Sequence, residues 1–439
     1  MPKEVVPIRR QLRAKKRILR DKARKAEKRI KESELYSYDN MCKFENFISS
    51  LSKCIKGVSW KRSVQNYYMN CLTNMFKAYS AMECRKLIKM ISDKEIIIYE
   101  RGKARTITPI HIRDRMIQKV VCDYALVPVI EKKLIFDNGA SLKGKGVLFS
   151  RNRLLKHLRK AIKEFGTNFY VICFDFKSYF DSIPHKTCRM MLERYFQDND
   201  IVTLVMEIIK APYRAKIMRI EDCVIIEKEL NKLENDELCG ICLGSQVSQI
   251  MALVIANDLD HYIKDVKGIK YYDRYMDDGR IFVKTKEEAD TLIKEMKVIV
   301  RKLGLTFSPK KTFITKSTKG FTFLKVRYYV SSNGKVVRKL SRKGIVRMRR
   351  KLKKYKKKVD NGLMTLDDVY ASMQSWLAHA KVANSYITVK HMLELYNNLF
   401  DGYMIKNKRE TKRVLQANRR KEYSWSYFQQ RLPKTAKTS

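Results

Sequence analysis

Tyr271-Tyr-Asp-Arg-Tyr-Met-Asp-Asp-Gly-Arg-Ile-Phe-Val283 is the stretch on which the fold of this chain turns. Two short strands, predicted over 270–276 and 280–284, flank Met276-Asp277-Asp278-Gly279, so adjacent carboxylates occupy a hairpin turn. Like charges crowded there are costly unless a cation sits among them. Hard divalent ions with oxygen ligands, above all Mg²⁺, meet that need. Upstream, Tyr170-Val-Ile-Cys-Phe-Asp-Phe-Lys-Ser-Tyr-Phe-Asp181 places Asp175 at the C-terminal end of an apolar strand predicted over 168–176, where a cleft can form. One Asp-Asp pair in a turn is commonplace. Two carboxylate sites on neighbouring strands of a basic chain point to two-metal phosphoryl transfer, with ions ~3.5–4 Å apart clamping the attacking and leaving oxygens.

Working outward, helical patterns cover 66–92, 111–133, 150–165, 186–210 and 246–265, with a further strand at 95–99. After residue 166 the order is strand, helix, helix, strand-turn-strand, helix, strand. That order suits a βαββαβ sheet covered on one face by helices, an α+β arrangement.

The chain has 439 residues, 94 Lys plus Arg against 46 Asp plus Glu, and a net charge of +48. A hydrophobic content of 45% fills several cores and excludes wholesale disorder. The charge is localised. Arg9–Arg29 holds twelve basic residues and two acids, Lys335–Lys358 fourteen and none, and Lys406–Lys421 eight and one, together +31. Each run read singly is a solvated helix face or a tail, but fourteen cations without an acid repel one another along a helix, and a polyanion relieves that repulsion. Nucleic acid is the leading partner and an anionic membrane surface the second. Glu221–Glu237 is acidic and is expected to form a hairpin or an inserted surface element facing away from nucleic acid.

No run of 18 apolar residues and no signal-peptide pattern occurs, so a soluble intracellular protein is expected. The ten cysteines are scattered from 42 to 242 and read as reduced. Cys239 and Cys242 form a C-x-x-C without a second pair at zinc spacing.

In this order the segments resemble the reverse transcriptases, particularly the bacterial group-II-intron-like lineage, over residues 90 to 400. Tyr275-Met-Asp-Asp278 resembles the family's Y-x-D-D catalytic turn, and Phe174-Asp175 through Phe180-Asp181 its first carboxylate strand. Gly240-Ile-Cys-Leu-Gly-Ser-Gln-Val-Ser-Gln249 resembles the segment that supports the templating base and incoming nucleotide, which implies contacts from Leu243, Gly244, Ser245 and Gln249. Leu303-Gly-Leu-Thr-Phe-Ser-Pro-Lys-Lys-Thr312, followed by Gly320-Phe-Thr-Phe-Leu324, resembles the segment closing the palm and the primer grip. Arg101-Gly-Lys-Ala-Arg-Thr-Ile107 resembles the fingers hairpin, with Lys103 and Arg105 on one strand face to neutralise a triphosphate.

The resemblance implies that Asp175 and Asp277 ligate both metals, assisted by Asp278 and the Phe176 carbonyl. Lys311 becomes the acid for the pyrophosphate leaving group, with a backbone-phosphate contact as its plainer alternative. Phe180 lies against the sugar, where an aromatic ring collides with a 2′-OH and favours deoxynucleotides. A helical thumb would lay Lys335, Arg338, Lys339, Arg342, Lys343, Arg347, Arg350, Lys353 and Trp376 along a duplex. There Thr365 and Asp368 read as a helix cap, and Val369, Met373, Trp376, Leu377 and Ala380 as an apolar stripe. Two departures stand out. Leu243 and Cys242 replace a common Gln and Pro, which puts ordinary fidelity in question, and the Asn-Ala-x-x-His and Val-Thr-Gly signatures of retron enzymes do not occur.

The implied architecture is an α+β right-hand polymerase fold with fingers, ferredoxin-like palm and helical thumb, plus a basic helical N-terminal extension. Its parts are a basic arm at 1–40, N-terminal helices and fingers at 41–165, palm at 166–328 with the acidic insert at 219–238, thumb at 329–403 and basic tail at 404–439. The implied activity is RNA-directed DNA synthesis with Mg²⁺ or Mn²⁺ in a bacterial cytoplasm. Its partners are an RNA template, a cognate noncoding RNA among the candidates, the DNA product and dNTPs. No membrane is involved, and a homo-oligomer or accessory protein stays open. The 36 residues after Tyr403 leave no room for an RNase H or zinc-type endonuclease domain. That favours a stand-alone enzyme of antiphage defence or abortive infection over a mobile-intron protein. The Leu243–Gln249 segment differs from the Gly-Asn-x-x-Ser-Gln form of diversity-generating elements. The rival from another class is a non-catalytic, maturase-like RNA binder, against which three intact carboxylates count.

Overall fold

The structure is a computed structural model that describes residues 31–86, 96–100 and 103–403, with residues 16, 17, 19, 20, 23, 24 and 27. Most of the expected basic arm, Arg101 and Gly102, the Lys103 side chain and the basic tail from 404 lie outside the described residues. The chain divides into two compact units, 1–157 with 172–314 and 158–171 with 315–439.

In the first unit, helices α1 (Phe44–Ile55), α2 (Arg62–Met69) and α3 (Cys71–Glu83) precede an antiparallel hairpin of β1 (Ile96–Glu100) and β2 (Lys103–Ile107). The single helix expected over 66–92 is broken at Asn70, whose non-helical backbone separates α2 from α3. Helix α4 (Ile112–Val121) packs against α1 and runs on through a wider π turn at Cys122–Leu126. Pro128 explains the widening: it donates no N–H, and its ring crowds the carbonyl of Tyr124. After α5 (Val147–Phe165) come β3 (Tyr170–Asp175), α6 (His185–Tyr195), α7 (Asn199–Ile217), α8 (Cys223–Glu234) and α9 (Gln246–Ile255). Strands β4 (Tyr272–Tyr275) and β5 (Asp278–Val283), α10 (Lys286–Lys302) and β6 (Phe313–Lys316) follow, and α5, β3 and β6 each carry residues of both units.

The sheet order β4-β5-β3-β6 is the one a βαββαβ chain produces when its first and third strands pair at the centre. Val171 to Phe176 are all buried, so both faces of the sheet are covered along β3. On the face that carries Phe174 and Phe176 the cover is aromatic. Phe174 lies 5.3 Å from Phe307, and Phe176 stacks on Tyr179 at 4.7 Å and on Phe307 at 5.3 Å.

The acidic stretch is the helix α8 rather than a hairpin, started by Asp222, whose side chain accepts from the backbone N–H groups of Val224 and Ile225. Its acids are largely paired at home. Glu234 receives Arg214 at 2.7 Å, and Asp236 receives Arg189 and the buried Lys210. All ten cysteines are free.

In the second unit, β7 (Phe321–Phe323), β8 (Val326–Val330) and β9 (Val336–Leu340) form an antiparallel sheet in that order. Helices α11 (Arg342–Asp360), α12 (Leu366–Ala380) and α13 (Tyr386–Phe400) share a core of Met348, Leu352, Val369, Met373, Met392, Tyr396 and Phe400. The expected cap of α12 is present: Thr365 Oγ1 accepts from the Asp368 N–H at 3.2 Å, while Asp368 accepts from the Thr365 N–H at 3.3 Å. Among the described residues no helix is long and apolar enough to cross a membrane.

Candidate active site

The β4–β5 hairpin closes on the pair Tyr275 and Asp278, leaving Met276 and Asp277 at its tip. Met276 has φ of 55°, a left-handed conformation that costs a non-glycine residue ~1–2 kcal/mol. Behind the tip, Gly279 faces the ring of Phe174, whose Cε2 would lie 2.7 Å from any Cβ added there, with other ring carbons nearer. A hydrogen at this position is what lets β5 lie flat on β3.

Asp175 ends β3 beside this hairpin. Its carboxylate accepts from Lys311 Nζ at 2.7 and 2.8 Å, and its backbone carbonyl from the N–H of Ser308 at 2.8 Å. Burial and the nearby charge of Asp175 push the carboxyl of Asp277 upward, against a pull from Lys311 and Arg105. Asp278 is pushed up to about 6, chiefly by burial, although Arg280 lies 2.5 Å away and opposes the shift. Carboxyls held up in this way are poorly solvated anions, and a divalent cation is the partner that keeps them ionised.

Asp175, Asp277 and Asp278 lie near enough for their charges to act on one another. Among the described residues, the one set of three ligating groups with atoms within 4.8 Å of one another is Asp137, His157 and Asp273. Among the aspartates of the hairpin and β3, Lys311 pairs with Asp175 at 2.7 Å and Arg280 with Asp278 at 2.5 Å. Asp137, His157 and Asp273 are buried and were not anticipated from the sequence. Asp137 already receives Arg153 at 2.5 Å and Lys264 at 2.8 Å, and His157 Nδ1 lies 2.7 Å from Asp273. Two cations thus balance two carboxylates, which makes a buried ion-pair network and leaves little attraction for a metal. Asp175 and Asp277 are a second pair of carboxylates that could hold a divalent cation, and Lys311 supplies the positive charge beside Asp175. The Lys311 side chain is half-exposed, and such a pair is worth ~1 kcal/mol or less, so a doubly charged ion displaces it readily.

The remaining expected residues fall around this hairpin or in the second unit. Phe180 lies half-buried in the single turn Tyr179–Ser182, edge-on to Tyr179 at 6.0 Å. Tyr179 is pinned by Phe176 and by its own hydroxyl, which donates to the carbonyl of Ala252 at 2.6 Å. The N–H of Ile241 donates to the carbonyl of Phe180 at 2.8 Å, tying the 240–249 segment to this wall. Gly244 has φ of 110°, which favours glycine, and a Cβ there would sit tightly against the Thr108 carbonyl at 3.1 Å. Ser245 caps α9, and Gln118 of α4 accepts from its hydroxyl at 3.0 Å and from the N–H of Gln246 at 3.2 Å. Gln118 carried no local signal in the sequence. Leu243 is half-buried and Gln249 exposed.

In the second unit Arg342, Lys343, Arg347, Arg350 and Lys353 are all exposed on α11, because Met348 and Leu352 turn its apolar stripe into the helical core. Lys335 and Lys339 are exposed and Arg338 is half-buried on the strand side. Trp376 is half-buried and packs against the helical core.

Compared with known proteins, residues 91–328 match the family described as reverse transcriptase (RNA-dependent DNA polymerase). No curated protein matches the chain. Among solved structures, apo telomerase from Candida tropicalis, truncated from the C-terminal domain, matches with 14% identity and a TM-score of 0.40. That match covers 62% of this chain and 60% of the telomerase chain.

Proposed function

Because the chain belongs to the reverse transcriptase family, we propose that it copies RNA into DNA by nucleotidyl transfer at the Asp175–Asp277 site. The observation that carries this reading is the placing of Asp277 and Asp278 at the turn of the β4–β5 hairpin beside Asp175, whose carboxylate already holds a cationic side chain. A primer 3′-hydroxyl attacks the α-phosphorus of a dNTP; the new P–O bond forms as the α–β phosphoanhydride bond breaks, and pyrophosphate leaves. Asp175 and Asp277 would hold two Mg²⁺ ions, or Mn²⁺, with Asp278 and the Phe176 carbonyl in support. The ions supply Lewis-acid stabilisation of the charge that develops on the attacking and leaving oxygens. Lys311, once released from Asp175, gives its proton to the departing pyrophosphate, while the attacking hydroxyl loses its own to solvent. Arg105 and Lys103 neutralise the triphosphate.

Phe180 is the proposed sugar gate. Its ring meets the edge of Tyr179, itself stacked on Phe176, which gives it a firm backing on one side against a 2′-OH. Phe180→Ala is expected to lower discrimination against rNTPs by about tenfold or more. Single-nucleotide incorporation with matched dNTP and rNTP checks it, and an unchanged ratio removes the gate.

Helix α11 is the proposed duplex contact. Its first turn carries Arg342 and Lys343 and no acid, although the positive end of the helix dipole lies there. Phosphate relieves both, and Arg342, Lys343, Arg347 and Arg350 line a groove beside Val346. Replacing Arg347, Arg350 and Lys353 with Ala should weaken template-primer binding and flatten its log–log salt dependence by about 0.9 per lost phosphate contact. Fluorescence anisotropy over a salt series measures this, and an unchanged slope takes α11 off the duplex.

We further propose a bacterial antiphage-defence role in preference to a diversity-generating or mobile element, supported by the Leu243–Gln249 form of the nucleotide segment. Plating phage on cells carrying the wild type or Asp277→Ala tests the role. Protection that depends on Asp277 is expected, and equal plaque counts contradict it. A non-catalytic RNA binder has no use for desolvated carboxylates at a hairpin tip, so the catalytic reading is preferred.

A further inference from the structure

Arg274 and Asp260 are both fully buried, and their side chains meet in a paired contact. Arg274 Nε donates to the two Asp260 oxygens at 2.7 and 3.0 Å, and Nη2 donates to Asp260 at 2.5 Å and to the Leu253 carbonyl at 2.9 Å. Tyr272 completes the anchor by donating its hydroxyl to Asp260 at 2.6 Å. The remaining terminal nitrogen, Nη1, reaches forward two residues and donates to the carbonyl of Met276 at 2.9 Å. That carbonyl belongs to the one left-handed residue at the tip of the hairpin, and its peptide plane runs directly into Asp277.

A buried ion pair contributes little to stability in comparison with apolar residues of the same volume, because both charges are stripped of water. The backbone of Arg274 is fixed as well: its N–H donates to the Asp137 carbonyl at 3.2 Å and its carbonyl accepts from the Gly139 N–H at 3.0 Å. The guanidinium is therefore a rigid bracket, anchored at Asp260 and Leu253 and ending on the turn. Rotation of the Met276 peptide would release its carbonyl and swing the Cα–Cβ bond of Asp277 with it.

We infer that Arg274, held by Asp260, is a positioning residue that fixes the Met276–Asp277 peptide plane and so aims the Asp277 carboxylate at its cation. The inference rests on the reading of Asp277 as a metal ligand. Lysine cannot replace arginine here, since a single ammonium does not span Asp260, Leu253 and Met276 in a planar fork.

The test uses the full chain in two variants, Arg274→Lys and the apolar pair Asp260→Leu with Arg274→Met. Three quantities are measured: Mn²⁺ binding by electron paramagnetic resonance of the free ion, kcat and KM for dNTP in primer extension, and the thermal midpoint. In folded variants we expect Mn²⁺ dissociation constants at least fivefold higher and kcat at least tenfold lower, with KM for dNTP changed less than threefold. A folded variant with wild-type Mn²⁺ affinity and kcat overturns the inference. Failure of both variants to fold assigns the pair to stability alone and overturns it equally. Weakened Mn²⁺ binding in variants of a wild type that extends no primer leaves the bracket standing and removes the polymerase reading instead.

Discussion

Replacing Asp277 and Asp278 together with alanine lowers nucleotide incorporation by at least about 10³-fold, equivalent to ~4 kcal/mol of transition-state stabilisation. The size of the effect follows from the environment. Both carboxyls are half-buried at the hairpin and held above their usual range, and an alanine methyl offers no oxygen in their place. Losing Asp277 leaves Asp175 alone with Lys311, and one carboxylate neutralised by an ammonium does not hold two divalent ions. Binding of a template-primer duplex should be unchanged or tighter, because two negative charges have been taken away from a polyanion. Single-turnover incorporation beside anisotropy measurements separates the two effects. Activity within tenfold of wild type would remove these residues from the chemistry.

The second large effect is steric. In Gly279→Ala the new methyl group overlaps the ring of Phe174. Phe174 is fully buried, with Phe307 at 5.3 Å and Tyr272 at 6.2 Å, and has no free direction in which to move. Overpacking of this kind costs ~1–3 kcal/mol. At ~2–4 °C per kcal/mol for a domain of this size, the thermal midpoint should fall by about 2–12 °C. Activity should fall further than stability, by at least tenfold, because Asp278 is the next residue and β5 can escape the clash only by lifting it away from β3. Adding Phe174→Leu makes room and should restore part of both losses. A Gly279→Ala protein with wild-type melting and turnover would show that the strands are not packed as described here.

The fold was readable in the sequence where its signals were local. Asp175 at the end of an apolar run, the strand-turn-strand around Asp277 and the Thr365–Asp368 cap each depend on residues a few positions apart, and each occurs where expected. What could not be read depends on partners distant in sequence. Gln118 reaches Ser245 across 127 positions, and Asp260 and Arg274 look like ordinary surface charges until folding strips both of water. The cation on Asp175 is distant in the same way, since Lys311 bridges 136 positions. The break at Asn70 was missed because neither Gly nor Pro marks it, and one backbone conformation at Asn70 ends the helix.

The central claim is that this chain joins deoxynucleotides on an RNA template through a cation held by Asp175 and Asp277. The most direct measurement is extension of a labelled DNA primer on an RNA template by EDTA-treated wild-type protein, with dNTPs and with Mg²⁺ added back stepwise. The account predicts templated extension that rises with Mg²⁺ from a zero baseline and is lost in Asp277→Ala. Extension equal in wild type and Asp277→Ala, or none at any Mg²⁺ or Mn²⁺ concentration, would contradict it.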